Sequence, residues 1–142
     1  MQDLRDFYSL TLKSCRENVE PERVVAREEP IITIDYDVPH PIHNYLDFVI
    51  NLQVGGSYGR VALKKIDVGL LETHSSLAPE LRGLGYGIMM YSAAIRYAKE
   101  LGFRVCSSPK HVMTASAKRL WASKELARSF TIVSNWERFY VV

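Results

Sequence analysis

Three glycines alternate with larger residues in the segment Arg82-Gly83-Leu84-Gly85-Tyr86-Gly87, which leads directly into a run of helix-forming residues over 88–101. The first four N–H groups of a helix have no internal acceptor and carry the positive end of the helix dipole, so they suit phosphate oxygens. Glycine lets the backbone approach such an anion closely, and Arg82 adds a positive charge. The segment therefore indicates a phosphate or pyrophosphate site, with a plain tight turn as the alternative.

The glycine loop differs from two common phosphate-binding motifs. It is not the dinucleotide-binding fingerprint, because the strands before it are predicted to be antiparallel and no acidic residue follows at the right distance on a second parallel strand. It is not a P-loop, because neither Lys-Ser nor Lys-Thr follows Gly87. Taken alone, the glycine spacing does not define the class of ligand.

Titratable side chains precede the loop on a strand predicted over 70–77. Strand alternation places Glu72 and His74 on one face and Thr73 on the other. A histidine has an unperturbed pKa of ~6.5, and burial could raise the pKa of a glutamate toward neutrality, so both are candidates for removing a proton near pH 7. The alternative for both is an ordinary surface or hydrogen-bonded polar residue.

No metal site is expected. His40 and His43 flank prolines without a nearby Cys or acidic triad, which favours loop residues. Cys15 and Cys106 lie far apart and lack CxxC spacing, so two buried free thiols are predicted.

Hydrophobic periodicity predicts the elements that must position these residues. A helix is expected over 3–19 and strands over 32–38, 46–54, 60–66 and 70–77, with a hairpin loop at 55–59. After the glycine loop come a helix over 88–101, a strand over 103–107 parallel to 70–77, a helix over 115–128 capped by Thr114, and a closing strand over 132–142. In the last helix, the predicted buried residues are Leu120, Trp121, Leu126 and Ala127. The pattern around the glycines is a β-loop-α-β unit.

Length and composition limit the class of protein. A chain of 142 residues that is 47% hydrophobic and 24% charged fits one globular domain, not a disordered, collagenous or disulfide-scaffold chain. The net charge of +2 is too mild to indicate nucleic acid, and no stretch approaches the ~18 apolar residues of a membrane span. The first residues lack a signal-peptide pattern, so a cytoplasmic protein with neither nucleic acid nor membrane as partner is expected.

Charge is unevenly distributed along the chain. Residues 1–81 contain 8 Lys and Arg against 13 Asp and Glu, whereas residues 82–142 contain 10 against 3. The second part, with the basic cluster Lys110, His111, Lys118 and Arg119, is expected to meet an anionic partner, which leaves the acidic part free to attract a cationic one. Simple solvation of the surface is the alternative.

The run from Leu77 to Gly87, followed by a long helix, a short strand and a second helix, resembles the GCN5-related N-acetyltransferase superfamily. Its acetyl-CoA motif is Arg/Gln-x-x-Gly-x-Gly/Ala after the fourth strand, and the likeness covers about residues 68–130 of a single domain over 1–142. The resemblance implies an α/β fold with a mixed, mostly antiparallel sheet flanked by helices. It also implies acetyl-CoA as cosubstrate and an amine, either small or a protein lysine or N-terminus, as acceptor.

The resemblance implies roles for individual residues. Main-chain groups near Leu77 would meet the pantetheine and the thioester carbonyl, and the N–H groups of the loop would hold the pyrophosphate. The loop residues concerned are Arg82, Gly83, Leu84, Gly85, Tyr86 and Gly87. The family's Asn-x-x-Ala-x-x-x-Tyr motif becomes Thr114-x-x-Ala117-x-x-x-Trp121. By this resemblance, Thr114 would be the residue that could keep a hydrogen bond to pantetheine.

Two departures from the family pattern qualify these expectations. Trp121 stands where the family often has the Tyr that protonates the leaving thiolate, and an indole N–H is too weak an acid for that role. Only residues 39–45 separate the first two predicted strands, where the family usually inserts helices that wall the substrate site. The expected function is an acetyl-CoA-dependent N-acetyltransferase; the alternative is a weak or inactive member of the same fold that acts as a binding partner. A homodimer is left open.

Overall fold

The computed structural model describes residues 29–40 and 44–142. The helix predicted over 3–19, Cys15 and His43 lie outside these residues. Within them, no helix is long and apolar enough to span a membrane.

The described strands form one seven-stranded sheet in the order β1-β2-β3-β4-β5-β7-β6. Their bounds are β1 Ile31–His40, β2 Asn44–Val54, β3 Ser57–Asp67, β4 Leu70–Leu77, β5 Arg104–Cys106, β6 Ile132–Ser134 and β7 Phe139–Val141. Neighbouring strands are antiparallel except for β4 and β5, which are parallel. The predicted α/β fold with a mixed, mostly antiparallel sheet is confirmed.

The described helices all follow β4. They are α1 Tyr86–Glu100, α2 Ala115–Trp121 and α3 Lys124–Ser129, and 3-10 turns cover Pro79–Leu81 and Lys110–Val112. The order β4, glycine loop, α1, β5 is the β-loop-α-β unit on which the family resemblance rests. A parallel neighbour requires such a crossover, because a hairpin turn would return the chain antiparallel.

Three expectations for the C-terminal part are wrong in detail. The helix predicted over 115–128 is two helices, because the Ser123 side chain accepts a hydrogen bond from the Leu126 N–H at 3.2 Å and so begins α3. Ala127 is exposed on α3. The closing strand over 132–142 is the pair β6 and β7, joined by a turn in which Asn135 Oδ1 accepts from the N–H groups of Glu137 and Arg138, both at 2.8 Å.

The main core lies between α1 and one face of the sheet. Alternate residues of β2 and β3, such as Ile50, Leu52, Val61 and Leu63, are fully buried against the apolar face of α1. Trp121 and Leu126 bring α2 and α3 into the same cluster. Because β4 is the next strand of this sheet, the core fixes where its free end lies relative to α1 and α2.

Candidate functional site

The site begins where β4 and β5 diverge. Their parallel ladder covers only Leu70–Glu72 paired with Arg104–Cys106, whereas β4 continues to Leu77. Just beyond the ladder, Ser108 Oγ donates a hydrogen bond to the carbonyl oxygen of Thr73 at 2.7 Å. After that contact the two chain segments separate and a gap opens beside the last residues of β4.

The main chain at the end of β4 faces this gap. The Ala78 N–H donates to the Tyr58 carbonyl at 2.9 Å, so residues 78 and 58 form a hydrogen-bonded pair of the β3–β4 ladder. In an antiparallel ladder the neighbouring pair directs its polar groups to the outer edges, and Leu77 therefore points its N–H and C=O away from β3. Arg82 Nε donates to that Leu77 carbonyl at 3.2 Å and ties the glycine loop to the strand.

The glycine loop has a left-handed backbone at two positions. Gly83 has φ 74° and Gly85 has φ 89°, values that favour glycine over other residues. Gly85 is the N-cap of α1, and no side chain caps this helix end. The first intrahelical bond runs from Met89 N–H to the Gly85 carbonyl at 3.2 Å, so the N–H groups of residues 86–88 have no acceptor within the helix. The helix predicted over 88–101 is confirmed, and it begins two residues earlier, at Tyr86.

A cleft of about 500 Å³ joins the end of β4, the glycine loop, α1 and α2. Four residues predicted to bind the cofactor line it, namely Leu77, Arg82, Gly87 and Thr114. The others, Gly83, Leu84, Gly85 and Tyr86, belong to the adjoining loop. The side chain of Tyr86 is buried in the core, so its main chain is the part that can contribute to this site.

Thr114 links α2 to the cleft. Its Oγ1 accepts a hydrogen bond from the Ala117 N–H at 3.1 Å and caps the helix, as the sequence predicts. A hydroxyl that accepts in this way still has its O–H to donate. Thr114 can therefore hold both the helix start and a polar group lying in the cleft.

A second, smaller cavity of about 180 Å³, here called the side chamber, adjoins the cleft. Both cavities are lined by Ser75, Tyr91, Thr114 and Ala117. The chamber alone is lined by Thr73, His74, Ser108, Val112, Met113 and Trp121. Thr73 and His74 point to opposite faces of β4, yet both reach the chamber, because it lies at the edge of the strand beyond the β4–β5 ladder.

Glu72 and His74 are brought together, but Glu72 lines neither cavity. Glu72 Oε1 lies 2.8 Å from His74 Nε2, and Glu72 Oε2 accepts a hydrogen bond from Arg138 Nη1. Burial would raise the pKa of Glu72, but the hydrogen bonds from His74 and Arg138 and their positive charge together lower it. The expected rise toward neutrality is therefore wrong, and Glu72 is a carboxylate near pH 7.

Tyr91 is a site residue that sequence reasoning missed. Its hydroxyl lies 2.6 Å from Ser75 Oγ, and its ring packs edge-on against Trp121 with centroids 5.6 Å apart. Burial raises the pKa of Tyr91, although Ser75, Thr73 and Trp121 oppose that rise. Its position in the sequence could have indicated this, because Gly87 and Tyr91 are four residues apart and therefore lie on the same face of α1.

Two further predicted features are placed by the structure. Lys110 belongs to the C-terminal hairpin, since its Nζ donates to Ser134 Oγ and to the Asn135 carbonyl and lies 4.4 Å from the centroid of the Phe139 ring. Arg119 is nearer the cleft, as its Nη2 donates to Ser116 Oγ at 3.3 Å. Lys110 and Arg119, two members of the predicted basic cluster, therefore contact different elements.

Cys106 is a buried free thiol, as predicted, and burial raises its pKa to about 11. Within residues 29–40 and 44–142, no group of three His, Cys, Asp or Glu side chains could hold a metal ion.

No family model and no curated protein matches the chain. Among solved structures, the chain is similar to yncA from Salmonella typhimurium, a protein provisionally assigned as an acetyltransferase and solved with its cofactor acetyl-CoA. The two are 16% identical, with a TM-score of 0.48. The alignment covers 66% of this chain and 61% of the other, so the matched region spans less than two thirds of that protein's length.

Proposed function

We propose that this chain transfers an acetyl group from acetyl-CoA to a primary amine. The observation that carries the proposal is the convergence of three features on one cleft: the uncapped start of α1, the charged group of Arg82, and the outward-facing main chain of Leu77. Together they supply donors for a pyrophosphate and a strand edge for an extended amide-containing arm.

The residues of the cleft fit the parts of CoA. The N–H groups at the start of α1 and the Arg82 guanidinium suit the pyrophosphate, because several donors must replace its lost water. The two amides of the pantetheine arm could pair with Leu77 as an added strand would. The Thr114 hydroxyl can donate a further hydrogen bond from the opposite wall.

The side chamber suits the acceptor amine. Its volume of about 180 Å³ holds a small group or the end of a side chain, and His74 lies on its wall. Because the Glu72 carboxylate can only accept, His74 Nε2 is the nitrogen that carries the proton, and Nδ1 is the one that can take a proton from the amine. Glu72 then positions His74, so Glu72 acts on the amine only through His74.

The steps assigned to this chain concern protons and orientation. His74 takes the proton that an ammonium group must lose before its nitrogen can attack the thioester carbonyl. The His74 side chain is 31% exposed, so the proton can pass on to water. Acetyl-CoA, when bound, supplies the activated acetyl group.

A second candidate function is a CoA-binding protein of the same fold with little or no turnover. It is favoured by Trp121, which is 2% exposed and stacks on Phe139, and which offers no acidic hydroxyl. Both candidate functions require CoA to bind in the cleft, but only the transferase requires the acetyl group to be transferred.

Calorimetry with acetyl-CoA and CoA tests what the two candidates share. If neither ligand binds, both candidate functions are contradicted.

If binding is found, release of CoA should be followed with a panel of cationic and neutral amines and a lysine-rich protein, at low and high salt. Turnover supports the transferase, and binding without turnover supports the second candidate. Rates on cationic acceptors that fall with added salt would support attraction by the acidic N-terminal part.

A further inference from the structure

We propose that Tyr91, on α1, is the general acid that protonates the sulfur of CoA as it leaves the acetyl group. This inference rests on the proposed function and names the residue that takes the role for which Trp121 is unsuited. It is carried by the position of the Tyr91 hydroxyl, by the polar groups around it, and by its place on the wall between the two cavities.

The position of Tyr91 is set by β4 and α1 together. Tyr91 lies one helical turn after Gly87, and both residues line the cleft. Its hydroxyl lies 2.6 Å from Ser75 Oγ, which belongs to β4 two residues before Leu77. An arm that runs along this edge of β4 from the pyrophosphate site therefore passes Leu77 before it reaches Ser75 and Tyr91.

Tyr91 also borders the side chamber, where His74 lies. The acceptor nitrogen and the departing sulfur are bonded to the same carbon during transfer, so the acid and the base must serve adjacent atoms. A hydroxyl on the wall shared by the cleft and the chamber meets this requirement. Ser75 and Thr114 also line both cavities, but Tyr91 is the one residue of this shared wall whose hydroxyl has an ordinary side-chain pKa.

Two polar groups beside the phenol suit its ionised form. Thr73 Oγ1 and Trp121 Nε1 are both buried, and hydrogen bonding from these two side chains lowers the pKa of Tyr91 against the effect of burial. An indole N–H can only donate, and a phenolate oxygen is a stronger acceptor than a phenol. Trp121 is thus placed to stabilise the Tyr91 oxygen after its proton has left.

During the transfer one bond to the acetyl carbon forms and another breaks. The amine nitrogen forms a bond to the acetyl carbon, and the bond from that carbon to sulfur breaks with its electron pair going to sulfur. The Tyr91 hydroxyl gives its proton to that sulfur, which yields the CoA thiol. Tyr91 regains a proton from water, and the protons lost by the amine leave through His74. The burial that raises the pKa of Tyr91 keeps the phenol protonated until this step.

The decisive variant is Tyr91→Phe, which removes one oxygen atom and keeps the ring that packs on Trp121. Tyr97→Phe is the matched control, because Tyr97 is also buried on α1 but lines neither cavity. Thermal unfolding of both variants checks that the fold is kept. We expect kcat to fall by ~10²–10⁴ in Tyr91→Phe, with nearly unchanged affinity for CoA, and to stay unchanged in Tyr97→Phe.

A second measurement, the pKa of the thiol of bound CoA, needs no acceptor amine. The thiol pKa of bound CoA is obtained from the ultraviolet absorbance of its thiolate, with free protein subtracted. A phenol that donates to the sulfur stabilises the thiolate, so Tyr91→Phe should raise that pKa by about one unit or more. Ser75→Ala, which removes the hydroxyl bonded to the phenol, gives the same test through a smaller change if Tyr91→Phe does not fold.

The outcomes separate this inference from the proposed function. If the unaltered protein does not bind CoA, both are overturned. If CoA binds and its thiol pKa and the rate are the same with and without the Tyr91 hydroxyl, only the role of Tyr91 is overturned. A higher thiol pKa in Tyr91→Phe and an unchanged one in Tyr97→Phe would support it.

Discussion

Glu72 and His74, two residues apart on β4, are in polar contact, with Glu72 Oε1 2.8 Å from His74 Nε2. The other carboxylate oxygen is held by Arg138, which also donates to the Ser107 carbonyl at 2.9 Å. The arrangement resembles the way a carboxylate orients a catalytic histidine in hydrolases. Because these contacts lower the pKa of Glu72, its proposed role is to position His74.

The pH dependence of stability should reflect Glu72. A carboxyl whose pKa is lowered on folding contributes stability above its unfolded pKa, and that stability is lost as the pH falls through the folded pKa. The free energy of unfolding should therefore decrease below pH ~4.5, and this decrease should be smaller in Glu72→Gln. Urea unfolding across the acid range measures both. Glu125→Gln, at an exposed position of α3, is the control, and an equal acid dependence in Glu72→Gln and wild type would contradict the prediction.

Removing Arg138 should be more harmful than removing both partners. Arg138→Met leaves the Glu72 carboxylate buried with His74 alone, which should cost roughly 3 kcal/mol of the free energy of unfolding. The double variant Glu72→Gln/Arg138→Met removes both charges of the Glu72–Arg138 pair, so part of that loss should be regained. Equilibrium unfolding of these two variants, of Glu72→Gln and of the wild type gives the coupling free energy between Glu72 and Arg138. Strict additivity of the single losses would exclude a direct interaction.

Gly85 and Gly69 provide a matched pair of glycines. Both have a positive φ, 89° and 70°, and a Cβ added at either would meet no atom within 4 Å. An alanine at either position should therefore lose about 1 kcal/mol of stability through the left-handed backbone alone. Gly85→Ala should also weaken acetyl-CoA binding by about tenfold or more, the equivalent of one hydrogen bond to a charged group. Calorimetry that finds equal affinity in the two variants would contradict the assignment of the loop.

Thr114 and Ser123 provide a matched pair of helix caps. Each side chain accepts a hydrogen bond from the N–H three residues later, at 3.1 and 3.2 Å. Thr114→Ala and Ser123→Ala should each lose ~1 kcal/mol of stability. Thr114 alone lines the cleft, so Thr114→Ala should in addition weaken CoA binding by about 2- to 10-fold. Because the two variants should lose the same stability, titrating both with CoA separates the loss of the helix cap from the loss of a contact with the ligand. A similar loss of affinity in Ser123→Ala would argue against a contact between Thr114 and CoA.

Local signals explain what could be predicted from the sequence. The start of α1 and the cap at Thr114 depend on a few consecutive residues, and the strands up to β4 alternate clearly, so these elements were predicted within a few residues. The division of the last helix was missed, because the signal of Ser123 is local but competes with good helix formers on both sides. The single capping residue Ser123 was a weaker signal than the helical pattern of the residues on either side of it.

Contacts between distant residues explain what could not be predicted. Arg138 reaches Glu72 across 66 positions, and this contact reverses the expected direction of the Glu72 pKa shift. The role proposed for Tyr91 depends on Ser75 from β4 and Trp121 from α2, which no pattern within α1 contains. Burial was predictable for Tyr91, but its polar partners were not.

The sheet is held together unevenly across the point where the cleft opens. β2 and β3 are eleven residues long and pair with long neighbours, whereas β4 and β5 share three residue pairs and β5 meets β7 at one. Amide hydrogens of β2 and β3 should therefore exchange with deuterium far more slowly than those of β6 and β7, which can open without unfolding the rest. The cleft lies on this boundary, so a ligand that bridges β4 and α2 should slow exchange in the C-terminal strands that it does not touch.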